Sequence, residues 1–202
     1  MPRTGSSVSL VLVAAALAGC ATLSRVTALR RVDFSLDGVR DGRLAGVDLA
    51  RIARYQDLGP VDLARIALAM SRRDIPLEFR VLVRGDNPAD NRTAATMVKL
   101  QWTLLLDDKE TVSGVLDTTV TFPPGGSAIV PVPVRVNLRE FFDGPVESLV
   151  NLAASVAGVG SRPTRIAVRA VPTIHTALGD ITYPGPITIV SRTIGGSPQS
   201  HP

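Results

Sequence analysis

The chain has 202 residues, 45% of them hydrophobic and 4% aromatic, with one cysteine and a formal net charge of +4. That length supports one good core and requires no second domain, while a single thiol rules out intrachain disulfides and two histidines rule out a histidine-built metal site. Twenty of the twenty-two basic residues are arginine, yet acidic residues are interspersed and no basic block is long enough for a nucleic-acid arm, so nucleic acid is not an expected partner.

At the start of the chain Arg3 supplies a positive n-region and Val8 to Leu17 an apolar h-region. The apolar stretch is about half the roughly 20 residues of a spanning helix. Leu17-Ala18-Gly19-Cys20 follows and contains the only thiol, which reads as a bacterial lipoprotein processing site. The expectation is a signal peptide over 1–19, cleavage between Gly19 and Cys20, and lipid attachment at Cys20. Two or three acyl chains such as palmitate make a stable anchor where one does not. By resemblance to signals of this kind, Ala21 rather than Asp after the cysteine implies a lipid anchor in the outer membrane, facing the periplasm, in a bacterial cell envelope. Loss of the leader with Arg3 lowers the net charge to +3.

Residues 20–31 read as a lipidated tether, 32–194 as one folded domain, and 195–202 as a polar, disordered tail. Val32, Phe34 and Leu36 alternate with charged and polar neighbours, the period of a half-buried strand, and Asp37-Gly38 signals a turn or bulge. Val47-Asp48-Leu49-Ala50-Arg51-Ile52-Ala53 recurs as Val61-Asp62-Leu63-Ala64-Arg65-Ile66-Ala67. Only the second copy has helix punctuation: Gly59-Pro60 before it, Asp62 in the first turn, and Leu63, Ile66, Ala67 and Met70 on one stripe. The spacing predicts a helix over 60–72 and leaves the first copy open between strand and short helix.

Leu77, Phe79, Val81 and Val83 mark a second strand that ends in the Asn87-Pro88 turn. Leu100, Trp102, Leu104 and Leu106 mark a third, turned back at Asp107-Asp108-Lys109-Glu110 into a strand with Val112, Leu116, Val120 and Phe122 inward. After Pro123-Pro124-Gly125-Gly126, Ala128, Val130, Val132, Val134 and Val136 form the next inward set. Pro131 and Pro133 share the opposite parity, so both missing N–H groups point to one edge, which predicts an edge strand. Gly144-Pro145 opens a second helix with the stripe Val146, Leu149, Val150, Ala153 and Ala157, ended by Gly158, Gly160 and Pro163. Strands near 165–174 and 187–194 complete the domain. The pattern predicts a mainly β fold, a two-sheet antiparallel sandwich with two peripheral helices.

Sites of chemistry are scarce. His175, beside Thr173 and Thr176, lacks the partners a nucleophile–base site needs, and His201 lies in the tail. Asp107-Asp108, and Asp86 with Asp90, read as backbone-capping turn residues because neither set has the ligand number or spacing of a calcium loop. Gly125-Gly126 has no phosphate-binding pattern behind it, and the sequon Asn91-Arg92-Thr93 reads as chance. The chain is expected to be no enzyme and to need no cofactor or metal. Two stripes are the candidate apolar binding faces: Leu63, Ile66 and Met70, and Val146, Leu149 and Val150. Packing against the sandwich is the alternative use of both; lifted from the core, either would open a groove for a lipid chain or an envelope-protein partner.

Asn87-Pro88-Ala89-Asp90-Asn91, Trp102 to Asp107, the Gly114 return strand, and Pro123-Pro124-Gly125-Gly126 leading into Val130-Pro131-Val132-Pro133-Val134 together resemble the late embryogenesis abundant (LEA) type 2 family, the water stress and hypersensitive response domain. The match runs over Leu77 to Phe142 and extends less closely across Val32 to Thr193. The resemblance implies an immunoglobulin-like or fibronectin III-like antiparallel β-sandwich, a role in desiccation or osmotic stress tolerance, and no catalytic residues. Its bacterial members look like secreted lipoproteins, in keeping with Cys20. The repeated segment from Val47 to Ala67 lengthens the connection after the first strand and departs from the family pattern.

Overall fold

The computed structural model describes residues 27–140, 145–160, 164–176 and 179–194. Its elements in chain order are β1 (Asp33–Leu44), β2 (Val47–Asp48), α1 (Pro60–Ser71), β3 (Pro76–Asp86), β4 (Ala95–Leu106), β5 (Lys109–Phe122), β6 (Ser127–Asn137), α2 (Val146–Val156), β7 (Thr164–Thr176), β8 (Gly179–Thr182) and β9 (Ile187–Ile194). The strands form two antiparallel sheets, one ordered β2-β1-β3-β6 and the other β5-β4-β7, with β8 and β9 both pairing β7. The fold is thus mainly β, as the alternating pattern requires.

The register places the start of β1, the end of β3 and the start of β6 at one end of the first sheet: Asp33 pairs Asp86, and Asp86 pairs Ser127. Ala95 pairs Phe122 and Met97 pairs Ile174 in the second sheet, and the chain passes between sheets after β3 and again after β5. We call this the proximal end. At the distal end β4 turns into β5 through Asp107 and Asp108, both left-handed with φ of 48° and 65°, the two-residue hairpin geometry that Asp tolerates. Both helices lie in connections that leave and re-enter the distal end.

The core lies between the sheets. Phe79, Val81, Val83, Val132 and Val134 are buried on the inner face of one, and Leu100, Trp102, Leu104, Ile166 and Val168 on the other. Phe34 and Phe122 meet edge to face at 5.6 Å. Gly85 is required there, since a Cβ at this position would stand 2.4 Å from the Phe122 ring.

β6 pairs only with β3 and is an edge strand, as its two prolines require. In the other sheet β5 is an edge, and it has no proline; instead it carries two extra residues relative to β4, in the register shifts near Thr111 and near Thr118–Thr119. Such bulges twist an edge away from further pairing.

The structure sharpens the sequence reading at three places. Of the turn and the bulge that Asp37-Gly38 allowed, β1 takes the bulge, continues to Leu44, and returns through Ala45-Gly46 (φ 49° and 80°) into β2, so the first heptapeptide copy, left open between strand and short helix, opens as a two-residue strand. β8 was hidden by its length of four residues. The second helix buries more of its surface than the first. Leu149, Val150, Ala153, Ala154, Ser155 and Val156 of α2 are all buried, whereas α1 buries Ile66 alone. α2 ends at Gly158 (φ 82°), with Gly158 N–H donating to Ser155 O and Val159 N–H to Ala154 O, the double bond of a Schellman cap.

Candidate functional site

The proximal end is where the start of the described chain is fastened. Residues 27–30 form one helical turn, and Ala28, Leu29 and Val32 are buried in the core. Residues 28–32, expected in part to belong to a tether over 20–31, thus pack with the core, and residues 20–26 lie outside the described residues. Two buried asparagines make the attachment. Asn91 donates through Nδ2 to Ala28 O (2.9 Å) and to Asn87 Oδ1 (2.7 Å). Asn87 donates through its own Nδ2 to Phe122 O (2.9 Å) and Thr93 O (3.3 Å), and its backbone N–H donates to Gly126 O (2.9 Å). One amide network thus joins the incoming chain to both crossovers between the sheets. Asparagine suits it because each amide offers two donors and an acceptor in one plane.

Around this network the incoming chain makes two further contacts. Arg31 pairs with Asp90 at 2.6 Å, both largely exposed. The Arg30 guanidinium stands 5.7 Å from the centre of the Tyr183 ring. Burial holds the Tyr183 phenol above its ordinary pKa of 10.0, against a smaller opposing effect of the Arg30 charge and a hydrogen bond with the Arg30 backbone. The sequon asparagine, Asn91, is 4% exposed with its side-chain nitrogen fully engaged, so the folded domain offers no glycosylation site there.

Gly19 and Cys20, the expected cleavage and lipid-attachment positions, lie outside the described residues, as do His201 and the tail from 195. The two expected apolar faces are turned inward. Ile66, Leu149 and Val150 are buried, and Leu63, Met70 and Val146 are half-buried against the core. Besides its packing, α2 is held to the turn at 55–57 by Tyr55 N–H donating to Asn151 Oδ1 (3.1 Å). The large apolar residues that α1 exposes are Val61 and Leu68, at 66% and 50%, and Ala67 of the predicted stripe is exposed as well.

His175 meets Asp180 across the β7–β8 hairpin, with 2.7 Å between Nδ1 and Oδ1. The pair is exposed at the sheet surface with threonines as its near neighbours in register. Asp107 Oδ1 accepts from Arg165 N–H (3.0 Å), and Asp108 pairs with the Arg165 guanidinium (3.1 Å), so the Asp turn is spent on β7. Among the described residues no group of three His, Cys, Asp or Glu side chains is placed to hold a metal ion, and no helix is long and apolar enough to cross a membrane. Two surface depressions are formed by described residues of the sheet faces. One on the outer face of the first sheet is lined by Asp41, Arg43, Glu78, Arg80 and Arg135, largely engaged with each other as the pairs Arg80–Asp41 and Arg135–Glu78. Another, on the second sheet, runs over Gln101, Thr103, Ser113, Val115 and Val171.

No protein-family model matches the chain, and no curated protein matches it. Among solved structures, a crystal structure of a protein from Archaeoglobus fulgidus is 17% identical with a TM-score of 0.34, covering 58% of this chain and 82% of its own. The solution structure of a protein provisionally described as late embryogenesis abundant (LEA) is 14% identical with a TM-score of 0.39, covering 93% of this chain and 87% of its own. Likenesses of this degree say nothing of activity.

Proposed function

We propose that the chain is a non-enzymatic, lipid-anchored protein of the bacterial cell envelope, whose LEA type 2-like domain contributes to tolerance of drying and osmotic stress. The observation that carries the anchor is Leu17-Ala18-Gly19-Cys20 behind an apolar stretch too short to span a bilayer. The stress role comes from the family resemblance alone. Its motif Asn87-Pro88-Ala89-Asp90-Asn91 has a physical purpose in this chain, since the two asparagines form the buried network that closes the proximal end. An immunoglobulin-like or fibronectin III-like arrangement is the finer reading of the two antiparallel sheets. The outer membrane, with the domain in the periplasm, is the proposed address.

A second reading, a docking module for an envelope protein or lipid, is favoured by the exposure of Val61 and Leu68 on α1. The first test is the mass of the full-length protein made in a bacterial envelope, beside Cys20→Ser. An acyl mass on the parent alone supports the anchor, and its absence rejects it. A non-covalent lipid in the native spectrum would favour the second reading. Unchanged survival of drying and osmotic shock after deletion of the gene would reject the stress role.

A further inference from the structure

We infer that the proximal end of the sandwich, built by residues 27–33, 87–94 and 123–126, is the surface that faces the lipid headgroups, with the helical end held away from them. This inference rests on the lipid anchor at Cys20. From Cys20 to Thr27 there are seven peptide steps, which at full extension reach at most about 25 Å. β4 alone, with twelve residues, makes the domain about 40 Å long from proximal to distal end. Because Ala28, Leu29 and Val32 are buried and Ala28 O accepts from Asn91, the leash leaves the domain at the proximal rim and gains no length from residues 28–32. A leash shorter than the domain prevents inversion. The proximal end stays within about 25 Å of the headgroups, so a fully inverted domain, which would hold that end about 40 Å away, is excluded.

Charge does little to set this orientation. Around the proximal rim Arg30, Arg31, Arg84 and Arg92 stand against Asp33, Asp86 and Asp90, with Arg31 paired to Asp90 and Arg84 to Asp86, which leaves little net charge. The orientation is therefore mechanical, and it should persist at salt concentrations that screen headgroup attraction.

The test uses full-length protein, its acylation verified by mass, in phosphatidylcholine vesicles containing an acceptor-labelled lipid. The engineered thiol is the only free one once Cys20 is acylated. A donor is placed at exposed Ala89→Cys on the proximal end or Lys109→Cys on the distal end. Energy transfer is expected to be severalfold greater from position 89, in low and in high salt alike. Insertion of about twenty Gly/Ser residues between Val26 and Thr27 is expected to abolish the difference, because a long flexible leash frees the domain to tumble. Equal or reversed transfer in the acylated protein, loss of the difference in high salt, or its survival after the insertion would each overturn the orientation while leaving the anchor intact. A chain that carries no acyl mass would remove the anchor and the orientation together.

Discussion

Replacing Asn91 by alanine should detach the start of the domain. Asn91 donates two hydrogen bonds, to Ala28 O at 2.9 Å and Asn87 Oδ1 at 2.7 Å, from a site only 4% exposed. Alanine leaves both acceptors without their donor, and a buried polar group so orphaned costs about 1–3 kcal/mol. Ala28 O lies near the rim and can regain water, so the expected loss is about 2–4 kcal/mol. For a domain of this size that lowers Tm by roughly 5–15 °C. The assay is denaturant and thermal unfolding of the chain from residue 20 carrying Cys20→Ser, with amide exchange read at residues 28–32. Exchange there should accelerate more than in β3 or β4. Arg31→Ala serves as the comparison: it removes an exposed ion pair on the same segment and should cost less than about 1 kcal/mol. An Asn91→Ala protein within about 0.5 kcal/mol of the parent would refute the claim that this network fastens the segment.

Four further outcomes follow from the same physics. Gly114→Ala should destabilise by about 1–3 kcal/mol in denaturant titration, because the new Cβ would stand 2.5 Å from Cζ2 of the buried Trp102 ring. Arg73→Gly should instead stabilise by about 0.5–1 kcal/mol, since Arg73 is left-handed (φ 57°) at the end of α1, where its N–H donates to Met70 O and glycine carries no Cβ penalty. Leu149→Ala should cost about 2–5 kcal/mol and Leu68→Ser less than about 0.5, separating the buried helix from the exposed one by melting temperature. Tyr183 holds its proton more tightly folded than unfolded, so its contribution is complete below about pH 10 and is lost as pH rises through its raised pKa. Tyr183→Phe should flatten the alkaline fall of the unfolding midpoint, and an unchanged slope would count against burial as the cause.

What was legible in the sequence was whatever depends on period and punctuation. β3 to β6 were visible because apolar and polar residues alternate along most of each, β7 was visible as a long run rich in β-branched residues, and Pro131 with Pro133 pointed to the edge role of β6 before any pairing was known. α1 was placed by Gly59-Pro60, and it spans Pro60–Ser71. The misses share a cause: each depends on what lies across space. Ala45-Gly46 is a weak turn signal until β2 is seen to pair Leu44 with Val47. The apolar stripe of α2 is the same on paper whether it faces the core or a ligand, and only Gly42, where a Cβ would meet Ala157 at 2.6 Å, shows how closely β1 approaches the helix. Asn87 read as a turn former and Asn91 as part of a chance sequon; the i, i+4 spacing of the two asparagines was the available hint that their side chains meet.

That pair also sets how far the domain can move from its proposed anchor. With residues 28–32 docked, about 25 Å of chain separates Cys20 from the fold; with them released, the leash ends at Asp33 and extends to about 45 Å, longer than the domain itself. The same hydrogen bonds that close the proximal end therefore decide whether the domain is held in one orientation or tumbles freely. Asn91→Ala should for that reason reduce the difference in energy transfer between positions 89 and 109 in proportion to the undocked population. Docking stabilised by about 2 kcal/mol leaves only a few per cent undocked, whereas losing that stabilisation gives the two states comparable weight. A network that looks purely structural thus couples the stability of one loop cluster to the presentation of the whole surface, and the two readouts must change together if the geometry is right.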